Sequence, residues 1–155
     1  MEEITENSEN FEDPAEKLIL VIDDDLSILD LLEHAIQKQG FKVERAMDGN
    51  EALEKAESLL PNLIILDFML PGLSGFEIIH RLQGSETAKI PVLIITGRRM
   101  DPKNIHLIKQ EPNIREFIEK PIRVLMLTTA IHRILHTRPP EVHPQGRGPL
   151  SGGGW

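Results

Sequence analysis

Leu18-Ile19-Leu20-Val21-Ile22 runs without a polar interruption into Asp23-Asp24-Asp25. Short apolar runs of this length suit strands buried on both faces of a parallel sheet. Three further runs repeat the pattern. Leu63-Ile64-Ile65-Leu66 closes on Asp67, Val92-Leu93-Ile94-Ile95 closes on Thr96, and Phe117-Ile118-Glu119 closes on Lys120-Pro121. If the strands are parallel, these closing residues gather at one edge of the sheet, the carboxyl ends of the strands. That edge is where open α/β sheets bind ligands. An acid pair, a lone acid, a hydroxyl and a lysine there describe a divalent-metal pocket around one reactive aspartate.

Helical periods fill the intervals between the runs. Leu26 to Gln39 carries Ile28, Leu31, Leu32 and Ala35 at helical spacing, and Gly40 ends it. Phe41-Lys42-Val43 predicts a short strand. Asp48 or Asn50 can cap a helix over Glu51 to Leu60, and Ser74 can cap one over Phe76 to Leu82. A weaker helix is predicted over about Pro102 to Gln110, a last strand over Ile114 to Glu119, and a last helix over Ile122 to Leu135. Five strands and five helices in strict alternation predict an α/β fold: a five-stranded parallel sheet, doubly wound, with helices on both faces.

Bulk properties narrow the function. A chain of 155 residues is one domain by default. A net charge of -8 argues against general nucleic-acid binding, which needs a basic face. There is no Cys, so neither a disulfide framework nor a zinc-thiolate site is available. No apolar stretch approaches the roughly 18 residues of a spanning helix. The N-terminus lacks the basic start and apolar centre of a signal peptide, so a cytoplasmic location is expected. Residues 1–16 hold seven Asp or Glu and read as an acidic, mobile arm. Residues 17–136 form the folded domain. Residues 137–155, punctuated by Pro and Gly, read as a disordered tail.

Asp23, Asp24 and Asp67 in one pocket repel each other, and a hard dication with oxygen ligands resolves this; Mg²⁺ suits it best. Asp25 is left to cap the following helix. A carboxylate at position 67 can attack a phosphoryl group and form an acyl phosphate, although a third passive metal ligand is the plainer role. Thr96 can donate a hydrogen bond to a phosphoryl oxygen or merely end its strand. Gly97 leaves space beside it. Lys120 pairs with a phosphate when one is present and with Asp67 when it is absent. No glycine-rich phosphate loop occurs, so nucleotide binding lacks support. His132 and His136, four apart with no carboxylate partner at ligand spacing, read as surface residues.

The stretches Val21-Ile22-Asp23-Asp24-Asp25, Leu66 to Gly75, Ile95-Thr96-Gly97 and Glu119-Lys120-Pro121 together resemble the receiver domain of two-component response regulators. The resemblance covers about residues 17–136 and implies a flavodoxin-like (βα)5 sheet of order 2-1-3-4-5. It implies that Asp67 is the phosphoacceptor. Asp23 and Asp24 would hold Mg²⁺ together with Asp67 and the backbone carbonyl of Met69. Thr96 would be the switch hydroxyl, Lys120 the phosphate-pairing lysine, and Phe117 the aromatic switch residue. The implied partner is a sensor histidine kinase or phosphotransfer protein, with output through protein contacts on the face of the fourth helix, last strand and fifth helix. A homodimer formed on phosphorylation also fits. Two departures stand out. The stretch from Thr96 to Lys120 is a little long and has Glu111-Pro112-Asn113 where a Gly-Ala pair is common, which predicts a short, shifted or mobile fourth helix. Arg98, Arg99 and Lys103 also give that helix a basic start.

Nothing after residue 136 reads as an effector, so a stand-alone receiver or a fragment is expected. The resemblance implies a signalling domain rather than an enzyme, beyond its own phosphoryl transfer and dephosphorylation. Two other readings compete. One is a binding-only receiver that no longer switches. The other is an Mg²⁺-dependent phosphohydrolase with an aspartyl nucleophile, which usually wants a second Asp two residues on; Met69 stands there.

Overall fold

The continuous apolar runs become the inner strands of one parallel sheet. The computed structural model describes residues 10–97 and 100–141. Strands β1 (Leu18–Ile22), β2 (Lys42–Ala46), β3 (Leu63–Asp67), β4 (Val92–Thr96) and β5 (Ile114–Glu119) stand in the order β2-β1-β3-β4-β5. Every pairing is parallel. Strands β3 and β4 are buried at every position, as strands covered on both faces must be. The edge strand β2 runs on to Ala46, past the predicted Val43. Its polar residues Glu44 and Arg45 are only half-buried and pair with Lys55 and with Asp30 and Glu33.

Helices α1 (Leu26–Lys38), α2 (Gly49–Leu59), α3 (Gly75–Leu82), α4 (Pro102–Lys109) and α5 (Val124–Leu135) join the strands. Local chemistry starts four of them. Asp25, Asp48, Ser74 and Asp101 each accept a hydrogen bond from a backbone N–H of the first turn, a device worth about 1 kcal/mol. Alternate side chains of a strand point to opposite faces, and the core divides accordingly. Ile19, Val21, Ile65 and Ile95 pack with Leu29, Leu32 and Ile36 of α1 and Leu127 and Ile131 of α5. Leu20, Ile22, Leu66 and Ile94 pack with Ala52 of α2, Ile78 and Leu82 of α3 and Ile108 of α4. The short α4 buries Ile108 alone. A 3-10 turn over Glu86–Lys89, absent from the sequence prediction, leads into β4.

One reading of the sequence is corrected. His132 is a buried residue, 6% exposed, not a surface one. After α5 the chain turns through His136 in the left-handed conformation (φ 58°), which returns Thr137 to the histidine. Thr137 Oγ1 lies 2.8 Å from His132 Nδ1, and Gln39 Oε1 lies 2.7 Å from Nε2. Burial holds the imidazole below its ordinary pKa. The described parts of the two flanking segments meet at the same place. Glu12 and Thr137 form a parallel bridge, Phe11 stacks on His136 at 4.9 Å, and Arg138 lies over the Phe11 ring at 4.7 Å. Of the arm expected over residues 1–16 and the tail expected over 137–155, residues 1–9 and 142–155 fall outside the described residues, while Pro14–Glu16 forms a 3-10 turn and Thr137 pairs with Glu12.

Candidate functional site

Strand register assembles the site. Ile22 is level with Leu66, so Asp23 follows beside Asp67. Asp67 is level with Ile95, which puts Thr96 one step further out. Thr96 is level with Glu119, and its carbonyl accepts the Lys120 N–H at 2.9 Å. Strand ends on four strands thus place two acids, a hydroxyl and a cation on one edge. The Lys120-Pro121 peptide bond that follows is cis.

Asp23 and Asp67 are buried, 1% and 3% exposed, while Asp24 faces solvent. One oxygen from each of Asp23, Asp24 and Asp67 lies within 4.8 Å of the other two. Asp23 Oδ1 accepts the Asp25 N–H at 2.9 Å, but Oδ2 is buried without a hydrogen-bond donor. Burial pushes the Asp23 carboxyl up to about 6; the Asp25 amide opposes this, and the Asp67 charge adds to it. An orphaned carboxylate oxygen beside two more carboxylates is costly unless a cation completes it. The donors are all oxygen, which fits a hard dication such as Mg²⁺.

Asp67 is held at both oxygens. Oδ1 accepts the Met69 N–H at 3.1 Å, and Oδ2 accepts from Lys120 Nζ at 3.3 Å. Lys120 Nζ also stands 3.7 Å from Asp23 Oδ2, outside hydrogen-bond range. Burial works against the lysine's charge, but the Asp67 and Asp23 carboxylates outweigh it, and the ammonium is held above its ordinary pKa. The Met69 side chain is exposed, so this residue meets Asp67 through its backbone. A carboxylate fixed by two donors, with a neighbouring ammonium and a cation cradle, can present an oxygen to an electrophilic phosphorus.

Thr96 is buried at the end of β4. It lines a groove of about 590 Å³ together with Lys120, Phe117, Met100, Ile105 and Met126. A side chain at Gly97 would meet nothing within 4 Å, so the space beside Thr96 is open. Phe117 packs partly buried against the core on the α4 side, and Lys109 Nζ stands 5.4 Å from its ring centre. Of the residues singled out in the sequence, Asp23, Asp24, Asp67 and Lys120 therefore converge directly. Thr96 and Phe117 join them through the adjoining groove. Arg98 and Arg99 lie outside the described residues. Sequence reasoning misses Met100, Ile105 and Met126 as groove residues, because Met126 falls off the apolar stripe of α5 and the other two sit in the weakly patterned α4 region. Among the described residues, no helix is long and apolar enough to cross a membrane.

Residues 19–132 match the family model of the response regulator receiver domain. The chain belongs to this receiver family. It is 31% identical over 125 residues to the phosphate regulon transcriptional regulatory protein PhoB of Rhizobium meliloti, a match covering 80% of this chain and 54% of that protein. It is 35% identical to the alkaline phosphatase synthesis transcriptional regulatory protein PhoP of Bacillus subtilis, covering 77% of this chain and 48% of that one. The receiver chain thus spans about half the length of these curated relatives. The fold is similar to that of the chemotaxis response regulator CheY4 of Vibrio cholerae, with a TM-score of 0.70 and 29% identity over 77% of this chain and 98% of that one. The expected sheet order is the one observed. Receiver domains belong to two-component signalling, and this chain is a receiver of that class.

Proposed function

We propose that this receiver takes a phosphoryl group onto Asp67 from a phosphohistidine of a sensor kinase or phosphotransfer protein and signals through protein contacts. One observation carries the reading: the buried Asp67 carboxylate meets Lys120 at 3.3 Å, next to the unsatisfied Oδ2 of Asp23. Asp23, Asp24, Asp67 and the Met69 carbonyl would hold Mg²⁺. When bound, the metal neutralises charge on the phosphoryl oxygens.

The chain's own residues perform the rest. A carboxylate oxygen of Asp67 attacks phosphorus, and the P–N bond of the donor histidine breaks. The bonding pair returns to the imidazole nitrogen, and an acyl phosphate remains on Asp67. Lys120 exchanges its contact with Asp67 for one with a phosphoryl oxygen. The Thr96 hydroxyl moves through the open space at Gly97 and donates to another. Phe117 has no hydroxyl, so its response to Thr96 is a packing change in the shared groove. That change reaches the face built by α4, β5 and α5, a two-state element biased by local charge. The metal, the donor and the switch roles all belong to this proposal.

The test is phosphoryl transfer from a small phosphoramidate donor with Mg²⁺, read as a mass increase of intact protein and trapped at one residue by borohydride reduction. Modification confined to Asp67, lost in Asp67→Asn and in chelator, is expected. Modification that survives Asp67→Asn overturns the assignment.

A further inference from the structure

The chain's negative charge is uneven, and so is its positive charge. Lys17, Arg45, Lys55, Arg81, Lys89 and Arg133 each have a carboxylate partner. Lys109 at the end of α4 and Arg115 at the start of β5 are exposed and have none among the described residues. Lys38, Lys42, Lys103, Arg123 and Arg138 also lack one: Lys38 and Lys42 belong to α1 and β2 at the far side of the sheet, Lys103 to the opposite end of α4, Arg123 to the groove of Thr96, and Arg138 lies over Phe11. Lys109 and Arg115 line a groove of about 410 Å³ with Ile114, Glu116 and Phe117. Strand β5 forms that wall and is an edge strand, paired with β4 alone. An edge strand flanked by cations suits an extended acidic segment.

The chain supplies such a segment. Residues 1–9 contain Glu2, Glu3, Glu6 and Glu9 and no cationic side chain. Their point of entry is fixed at the end of α5. Glu12 pairs parallel with Thr137, and Phe11 stacks on His136, so the chain arrives beside the last turn of α5. On that turn Arg133 reaches Glu116 of β5 at 2.8 Å, and Phe117 beside it stands under Lys109. The end of α5 thus links Phe11, through His136, to the groove, through the Arg133–Glu116 pair. Nine residues extend up to about 30 Å. The tail at the other end lacks the charge for the role, since residues 142–155 carry Arg147 and no acid.

We propose that the acidic segment of residues 1–9 docks in cis into the groove between α4 and β5, its glutamates facing Lys109 and Arg115. Single exposed ion pairs are weak, but a short tether raises the effective concentration to about the millimolar range. Phe117 is shared by this groove and by the one that holds Thr96 and Lys120. An occupied groove therefore restricts the ring on which the proposed output depends, and the segment acts as a built-in competitor for partners of this face. The docking itself does not depend on phosphorylation, so its test is separate from that of Asp67.

The absence of Cys allows a single label. A nitroxide attached through Thr5→Cys on the whole chain broadens the amide signals of residues it approaches. Strong broadening at Lys109, Arg115 and Phe117 is expected. It should be largely lost when Glu2, Glu3, Glu6 and Glu9 are all replaced by Gln, in Lys109→Gln/Arg115→Gln, and on raising ionic strength from about 0.01 M to about 1 M, where the Debye length falls from ~30 Å to ~3 Å. Broadening confined to Phe11 and the end of α5 overturns the proposal. So does groove broadening that persists unchanged in the charge variants. A mixture of spin-labelled unenriched protein with unlabelled ¹⁵N protein checks the cis geometry; groove broadening in that mixture means the segment reaches a second copy and refutes docking within one chain.

Discussion

Asp23→Asn should make the metal-free protein more stable, although Asp23 sits in the proposed functional centre. The folded carboxyl has its pKa raised from 3.8 to about 6. At about 1.36 kcal/mol per pH unit, the ionised side chain costs the fold about 3 kcal/mol at neutral pH. Asparagine keeps an oxygen for the Asp25 N–H and places a donor where Oδ2 has none. The sign follows from proton binding. Between pH 3.8 and about 6 the folded state binds more protons than the unfolded one, so this group makes stability fall as pH rises through that window. Other acids titrate alike in both proteins, and the difference between them isolates position 23. Urea unfolding in chelator at neutral pH is the assay. With an m-value of about 2 kcal/mol/M, the variant's midpoint should lie about 1.5 M above wild type, and the gap should close as pH is lowered past 5 toward 4. Added Mg²⁺ should reverse the order, since a ligand at about 1,000 times its Kd contributes ~4.1 kcal/mol to the protein that binds it. Equal midpoints in chelator, or a gap that widens on acidification, would refute the account of the buried carboxylate.

Lys120→Met removes the cation 3.3 Å from Asp67 and 3.7 Å from Asp23; the pH dependence of metal-free stability should become steeper, and an unchanged slope between pH 5 and pH 7 would mean that the lysine does not compensate these acids. Gly75→Ala places a Cβ 2.3 Å from the Phe68 ring, next to Asp67. Overpacking of this kind costs about 1–3 kcal/mol, and calorimetry should show a fall of several degrees in Tm. Asn113→Ala leaves the Ile90 carbonyl and the Gln83 amide without a partner each has at 3.0 and 3.1 Å; a loss of about 1–3 kcal/mol is expected by urea unfolding.

What could be read in the sequence was local or strongly patterned. Leu63 to Leu66 and Val92 to Ile95 identify buried strands because nothing polar interrupts them, and the register of such strands then fixes which residues end on a shared edge. Asp25, Asp48 and Ser74 identify helix starts because a capping side chain bonds within three residues of itself. What could not be read depends on distant partners. Gln39, which buries His132, is 93 residues away in the chain. The unsatisfied oxygen of Asp23 is a matter of what does not approach it, which no pattern of residue types encodes. The edge strand β2 extends past Val43 without an apolar pattern to show it, because its outer residues are polar and gain their partners from α1 and α2.

The bridge between Glu12 and Thr137 fixes the doorway of the domain. The chain enters just before β1 and leaves just after α5, at the amino end of the parallel strands, and the acids occupy the carboxyl end. Both anchor points, Asn10 and Glu141, therefore lie at the pole opposite Asp67. A fused reporter at either end leaves the approach to that aspartate clear, and a pair of fluorophores at both ends starts from adjacent anchor points, where loss of the Phe11–His136 stack reads out directly as separation.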